Sequence, residues 1–364
     1  MKYDFLIVGS GLFGATFAQK CIEAGKRCLV IERRSHIGGN AYTEVLDRIQ
    51  VHRYGAHIFH TNTEHVWKYI NRFTRFNDYI HRPMANYDGQ LYNLPFNMNT
   101  FNQLWGVTTA EEAQKRIKES TEHVDNPKNL EQMAVNLVGR EVFEKFIKGY
   151  TEKQWGRRCE DLPASIISRL PIRYTYDNNY FDAKYQGIPI NGYTEMISNM
   201  LQGAEVVTGM DFFNEREKLM MCAKHILFTG PIDEYFGYCH GALEYRSVFF
   251  ETEMLDVDDY QSNSVVNYTD AQTAFTRIIE HKHFALTKQP RTVISREYSI
   301  EWKPGIEPYY PIEDAINTRK YKLYSDIAKR EGHITFGGRL GLYRYLDMDR
   351  TIEIALACAD KLIR

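Results

Sequence analysis

The sequence predicts an α/β protein from three observations: a glycine-rich strand–turn–helix opens the chain, a charged helical pattern fills its middle, and β-rich runs return after Glu205. Lys2 to Val8 (KYDFLIV) is a short apolar run of strand formers. It leads into Gly9-Ser10-Gly11-Leu12-Phe13-Gly14. Leu12, Ala15, Ala18 and Ile22 then recur at helical spacing, and Gly25 stops the helix. Cys28 to Ile31 reads as a second buried strand, with Glu32 at its end. Strand, glycine turn, helix, strand and acid make the first half of a dinucleotide-binding unit of the Rossmann type.

Each residue in that unit has a physical task. Gly9 allows the tight turn, Gly11 lets the backbone approach a pyrophosphate, and Gly14 lets the helix pack closely on the strand. The helix start offers unpaired N–H groups and partial positive charge to phosphates. Glu32 is suited to accept the hydroxyls of an adenosine ribose. A second glycine pair, Gly38-Gly39, follows in Arg33-Arg34-Ser35-His36-Ile37-Gly38-Gly39-Asn40. Such a pair is similar to that of flavoproteins of the glutathione-reductase type.

Composition bounds the rest. A chain of 364 residues has room for two or three modules around a substantial core. A formal net charge of -2 excludes a nucleic-acid binder acting through a general basic field. Six scattered cysteines without a C-x-x-C read as reduced thiols in a cytoplasm, with no disulfide frame or zinc site. No apolar run approaches the roughly 20 residues of a membrane helix, and the chain opens on a strand with no signal peptide. The 25 tyrosines and 20 phenylalanines either fill core and interfaces or line a pocket for a ligand with rings and hydroxyls.

Further along, Val51 to Phe59 is strand-like and broken by Gly55. His57 and His60 there either bracket a reactive centre or are structural. Glu64 to Phe73 reads as a helix, and residues 79 to 99 as extended with a turn at Asp88-Gly89. Glu111-Ser120, Leu130-Val138, Glu141-Lys148 and Tyr193-Leu201 are candidate helices. The run Lys148 to Gly156 is polar and aromatic, and 165 to 181 is a breaker-rich loop whose arginines beside tyrosines suit an anion clamp. Ile226 to Phe228 is a buried strand expected to rejoin the first sheet. Tyr245 to Leu255, Ser264 to Tyr268 and Thr292 to Trp302 predict an antiparallel sheet. Ile334 to Phe336 and a helix with Ile352, Ala355, Ala359 and Leu362 on one face close the chain.

The expected organisation is a discontinuous Rossmann-like domain over 1–78, 202–235 and 330–364. A helical-bundle domain occupies 100–201, and an antiparallel β-sheet substrate domain 79–99 with 236–329. The positive end of the last helix, near Asp349, is placed to favour an anionic reduced ring system.

GSGLFGA, ERRSHIGGNAY, YGAHIFHTN, KGYTEKQWG, YDNNYF, TRIIEHKHF, EPYYP and GGR…YRYLDMD, in that order, closely resemble the bacterial UDP-galactopyranose mutase family. The resemblance runs from end to end. It implies an isomerase that interconverts UDP-galactopyranose and UDP-galactofuranose without net redox change, supplying galactofuranose for cell-surface polysaccharide. It implies a non-covalent FAD, active when reduced, whose N5 attacks the anomeric carbon of the sugar. Dimers are common in the family.

The family's catalytic arginines match Arg169 and Arg277, and its histidine beside the flavin matches His60. Substrate contacts match His81, Tyr150, Thr151, Trp155, Tyr180, Phe181, Arg246, Asn267, Tyr309 and Tyr345. FAD contacts match Gly9, Gly11, Phe13, Gly14, Glu32, Arg33, Gly39, Asn40, His57, Ile58 and Arg339, and the helix start Leu346, Asp347, Met348, Asp349, Arg350 and Thr351. His81 stands where relatives often have asparagine, which bears on sugar preference. The N-terminal fingerprint taken alone fits a FAD-dependent oxidoreductase of the amine-oxidase type as well. No second G-x-G-x-x-G is present for a nicotinamide cofactor.

Overall fold

Five parallel strands carry the first of two compact units in the computed structural model, which describes residues 1–167 and 170–363. This unit comprises Met1–Asp78, Ala183–Arg246 and Trp302–Arg364. The strand order is Ile334–Phe336, Ala223–Phe228, Tyr3–Val8, Cys28–Glu32, Glu205–Thr208. Val8 is level with Phe228 on one side and Ile31 on the other. Tyr3–Val8 and Cys28–Glu32 read as near-continuous apolar runs because a parallel sheet is covered on both faces. Leu6, Ile31, Ile226 and Phe228 are almost fully buried in its core.

The helix Leu12–Glu23 starts directly after the glycine turn and packs against the last helix, Met348–Leu362. That last helix buries Ile352, Ala355 and Ala359, the stripe expected from their spacing. From Tyr3–Val8 the chain builds one side of the sheet, through Cys28–Glu32 to Glu205–Thr208, and then crosses to Ala223–Phe228 on the other side. The carboxyl end of Tyr3–Val8 is therefore a point where connections diverge, the place where ligands bind in open α/β sheets.

The second unit, Tyr79–Asp182 and Ser247–Glu301, is built on a mixed sheet. Its order is 247–255, Thr292–Glu301, Arg277–Glu280, Val265–Tyr268, Met84–Tyr87, Gln90–Asn93. The pairings are antiparallel from Thr292–Glu301 to Val265–Tyr268 and in the hairpin Met84–Tyr87/Gln90–Asn93. Val265–Tyr268 runs parallel to Met84–Tyr87, so the sheet is mixed where an antiparallel one was expected. The helices of this unit share a core with that hairpin: Ala85 and Tyr92 are buried with Phe101, Val135, Val142, Phe143 and Phe146.

Several elements differ from the sequence reading. Val51 to Phe59 is two strands, Ile49–His52 and Phe59–Thr61, separated by a turn in which Gly55 has φ 106. A helix Met98–Trp105 begins inside the segment read as extended. Asn97 caps it by accepting from the Asn99 and Thr100 N–H groups, and Thr100 Oγ1 accepts the Asn97 N–H in return. Glu141-Lys148 is not a separate α-helix: Leu130–Val142 passes into a π-helical turn, Phe143–Lys148, which runs on into Gly149–Trp155. Helices Arg216–Cys222 and Ala315–Ala328 and the strand Arg277–Glu280 were not anticipated. All six cysteines are free. No helix among the described residues is long and apolar enough to cross a membrane.

Candidate functional site

A cleft at the carboxyl ends of the parallel strands is floored by the glycine turn. Gly9, Gly11, Phe13 and Gly14 line it, with Glu32, Arg33, Gly39 and Asn40 from the next strand and its loop. The two glycine loops touch: a Cβ added at Gly39 would lie 2.9 Å from the Gly11 Cα, and Gly39 has φ 55. At Gly14 a Cβ would collide with the Gly9 carbonyl, so helix and strand meet with no side chain between them. Arg339, Leu346, Met348 and Thr351 line the cleft from the C-terminal segment, and His57 and Tyr309 also face it. Asp347 precedes the last helix without a side-chain capping bond.

The buried Glu32 carboxylate already has local partners. One oxygen accepts from the Ser10 N–H at 3.0 Å and its hydroxyl at 2.8 Å, and the other accepts from the Arg34 N–H at 3.1 Å. A carboxylate has about four acceptor positions, so one remains for a sugar hydroxyl. Arg33 and Arg34 both pair with Glu307, at 2.5 and 2.8 Å. Arg34 also lies over the Tyr54 ring at 4.2 Å, and its Nη1 is buried without a hydrogen-bond partner. A buried guanidinium N–H with no acceptor is costly, and an oxygen of a bound ligand would relieve it. Sequence reasoning passed over Arg34 and Glu307. Their signal was there, a second arginine after the acid and a lone glutamate before Pro308 and Tyr309.

His57 is a neutral imidazole at physiological pH, because burial pulls it down to about 4. Its Nδ1 must then carry the proton that it gives to the Gly55 carbonyl at 2.7 Å, which leaves Nε2 as an acceptor. Burial lowers His60 as well, opposed by Asp347 and Asp349. Arg339 donates to the Leu346 carbonyl at 2.8 Å and lies over the Tyr345 ring at 4.7 Å. Arg246 is buried and level with Tyr310 in a strand pair. Ile58, His60, Asp347, Asp349 and Arg350 lie outside the lining of the cleft, and Arg350 pairs with Glu353.

In the second unit another group converges. Arg277 opens its strand beside Asn267, its register partner on Val265–Tyr268. The guanidinium donates to the Tyr150 hydroxyl at 2.6 Å and lies 3.2 Å from Glu297. Burial pushes the Tyr150 phenol up to about 12 against the pull of Arg277, with Glu297 and Tyr180 adding to the rise. Tyr150, Thr151 and Trp155 sit on one short helix, Gly149–Trp155, which ends at Gly156 with φ 64. The Asn267 side-chain oxygen is buried with no hydrogen-bond partner. His81 stacks on Phe181 with centroids 5.6 Å apart and meets Tyr180 edge-on at 5.5 Å. Its carbonyl accepts the Tyr180 N–H at 2.8 Å, and its Nδ1 is 3.0 Å from the Tyr79 hydroxyl. Arg169, expected to be catalytic, lies outside the described residues.

Comparison with known proteins gives the family of the chain. Residues 145–345 match the family model for UDP-galactopyranose mutase, and 7–73 match an NAD(P)-binding Rossmann-like domain. The chain is 39% identical to a probable UDP-galactopyranose mutase of Klebsiella pneumoniae, over 99% of this chain and 94% of that protein. It is 38% identical to a dTDP-fucopyranose mutase of Escherichia coli, over 99% and 98%. A crystal structure of reduced UDP-galactopyranose mutase shares the fold, with TM-score 0.77 and 12% identity over 99% of this chain and 93% of that one. With near-complete coverage at such identity, the chain belongs to the UDP-galactopyranose mutase family.

Proposed function

We propose that this isomerase interconverts UDP-galactopyranose and UDP-galactofuranose, with FAD held in the cleft of the first unit and the nucleotide held by the second. The observation that carries the substrate reading is the Arg277–Tyr150 pair beside the unsatisfied Asn267 oxygen. The residues of the cleft fit a dinucleotide cofactor. Two glycine loops leave bare backbone, Glu32 keeps an acceptor position, and Arg34 Nη1 lacks an acceptor. When bound and reduced, the flavin supplies the nucleophile for the anomeric carbon.

The side chains of the protein do the rest. A departing nucleoside diphosphate carries growing negative charge, and Arg277 meets it with a planar fork that lysine cannot copy. Tyr150 stays protonated across neutral pH and donates its hydroxyl, because its phenol lies near 12. Trp155 and Thr151, four residues apart on the same helix, offer the base a packing surface. Phe181 and Tyr180, held against His81, offer the nucleotide an aromatic face and a phenolic hydroxyl. Glu32 would hold the adenosine ribose of the cofactor, and Gly11 and Gly39 would let its pyrophosphate approach the backbone. The start of Met348–Leu362, which has no side-chain cap, would offer its N–H groups to an anionic ring system. His57, neutral, presents an acceptor without adding charge.

The relation to a dTDP-fucopyranose mutase supports a second reading, in which the substrate is a dTDP-6-deoxyhexose. One experiment separates the two. Dithionite-reduced protein is incubated with UDP-galactofuranose and with dTDP-fucofuranose, and the six-membered isomers are quantified. Turnover of the first with silence on the second is expected. Preference for the second moves the substrate to the dTDP sugar, and silence on both rejects the mutase reading.

A further inference from the structure

The Lys153 ammonium donates to three main-chain carbonyls: Tyr268 at 2.7 Å, Thr273 at 3.0 Å and Phe275 at 3.2 Å. Tyr268 ends the strand Val265–Tyr268, and Thr273 and Phe275 lie in the connection from it to Arg277–Glu280. An ammonium has three N–H donors, so this side chain commits all of them to one loop. Four residues earlier on the same helical face, Gly149 has no room for a Cβ against the Thr269 carbonyl. Tyr150, the next residue, meets Arg277 at 2.6 Å. The helix is thus fastened at three points to a loop that runs from the neighbour of Asn267 to Arg277.

We propose that Lys153 is a positioning residue for nucleotide-sugar binding: it draws the 269–276 loop onto the Gly149–Trp155 helix and so fixes Arg277 and Asn267 relative to Tyr150 and Trp155. This rests on the mutase reading of the same site. Main-chain bonds hold the two ends of the loop: the Tyr268 N–H donates to the Thr276 carbonyl at 2.9 Å, the Thr269 N–H to the Asn86 carbonyl at 2.9 Å and the Thr276 N–H to the Glu297 carbonyl at 2.8 Å. Lys153 reaches the stretch between those ends at the Thr273 and Phe275 carbonyls, where the Phe275 ring also meets Tyr268 at 4.7 Å. Asp270 turns inward on its own loop, accepting from the Thr273 N–H at 2.7 Å and hydroxyl at 3.0 Å. Burial pulls the Lys153 ammonium down to about 8, with Asp270 opposing. A half-buried cation facing carbonyls, and no carboxylate at ion-pair distance among the described residues, is spent on loop geometry.

The test compares Lys153→Met, which keeps the stem and removes the donors, with Lys153→Arg, which keeps a cation and donors. Calorimetric titration of the FAD-loaded enzyme with UDP should show a Kd roughly tenfold or more above wild type for Lys153→Met. KM should rise in parallel, with kcat and flavin content close to wild type, and Lys153→Arg should recover most of the affinity. In an Arg277→Ala background, Lys153→Met should add less to the loss than it costs in wild type, because part of its effect passes through that arginine. Where Lys153→Met does not fold, Lys153→Gln replaces it, with a smaller loss in the same direction. Wild-type Kd and KM in a folded variant, a fall confined to kcat, or losses that multiply with Arg277→Ala would overturn the proposal. Where wild-type enzyme binds dTDP and not UDP, the same titrations are read with dTDP; failure to bind either nucleotide would overturn the mutase reading, and this proposal with it.

Discussion

The Arg277 guanidinium reaches the Tyr150 hydroxyl at 2.6 Å across 127 residues of sequence. Neither residue has that partner by local structure. One opens a strand of the mixed sheet and the other sits in the first turn of a helix. Glu297, 3.2 Å from the guanidinium Nε, holds the arginine from its other side. A cation held by one phenol and one carboxylate is aimed before any ligand arrives, which spares ordering cost on binding.

Arg277→Lys therefore separates charge from geometry. Lysine keeps the positive charge but cannot span Tyr150 and Glu297 at once. UDP affinity is expected to fall roughly ten- to hundredfold in Arg277→Lys, and turnover to be nearly lost in Arg277→Ala. Bound flavin, read from its visible absorbance, should stay at wild-type occupancy in both. Robust turnover in Arg277→Ala would remove this arginine from the mechanism.

Asn267 offers a case in which stability and binding part company. Its buried oxygen has no partner in the free protein and is a standing cost. Asn267→Leu, similar in size, is expected to leave the melting temperature equal to or above wild type while weakening UDP binding about tenfold or more. Thermal melts with and without UDP measure both. A variant that melts early and still binds UDP as tightly would assign Asn267 to the fold.

The glycine turn and its strands were legible because each residue acts on near neighbours: Gly9, Gly14 and Glu32 are explained within thirty-odd residues of chain. The Arg277–Tyr150 pair was not legible from spacing, since it depends on how a sheet and a helix pack. Only the motifs TRIIEHK and KGYTEKQWG marked its halves. The helix Met98–Trp105 was missed although Asn97 and Thr100 form a capping box, because Pro95 pulled the reading toward extended chain. A second arginine after the acid marked Arg34, but its unsatisfied buried N–H is a property that exists only in the fold.

Gly39 tests the cofactor cleft. Its φ of 55 and the 2.9 Å approach to the Gly11 Cα leave alanine strained and push two glycine loops apart. Gly39→Ala is expected to cost about 1–2 kcal/mol of stability from the backbone strain alone. FAD occupancy should fall well beyond what that destabilisation explains, while far-ultraviolet circular dichroism stays native. Full occupancy after purification would show that the contact between the two loops does not shape the cofactor site.

His57 makes the protein acid-sensitive in a defined window. An unfolded histidine titrates near 6.5, whereas burial holds the folded one near 4. Between those values the unfolded chain binds the proton and the folded one does not, so protons favour unfolding there. The stability is intact above pH 6.5 and is lost as pH falls toward 4, by about 3 kcal/mol at most. His60, shifted in the same direction, adds to the slope. Asparagine places an N–H where His57 Nδ1 meets the Gly55 carbonyl, so His57→Asn keeps that bond and removes the titration. Melting temperatures of the FAD-loaded enzyme from pH 7.5 to 4.5 should therefore fall less steeply in His57→Asn than in wild type. Parallel curves would mean that His57 carries the same proton occupancy folded and unfolded, and the neutral acceptor assigned to it in the cleft would go with them.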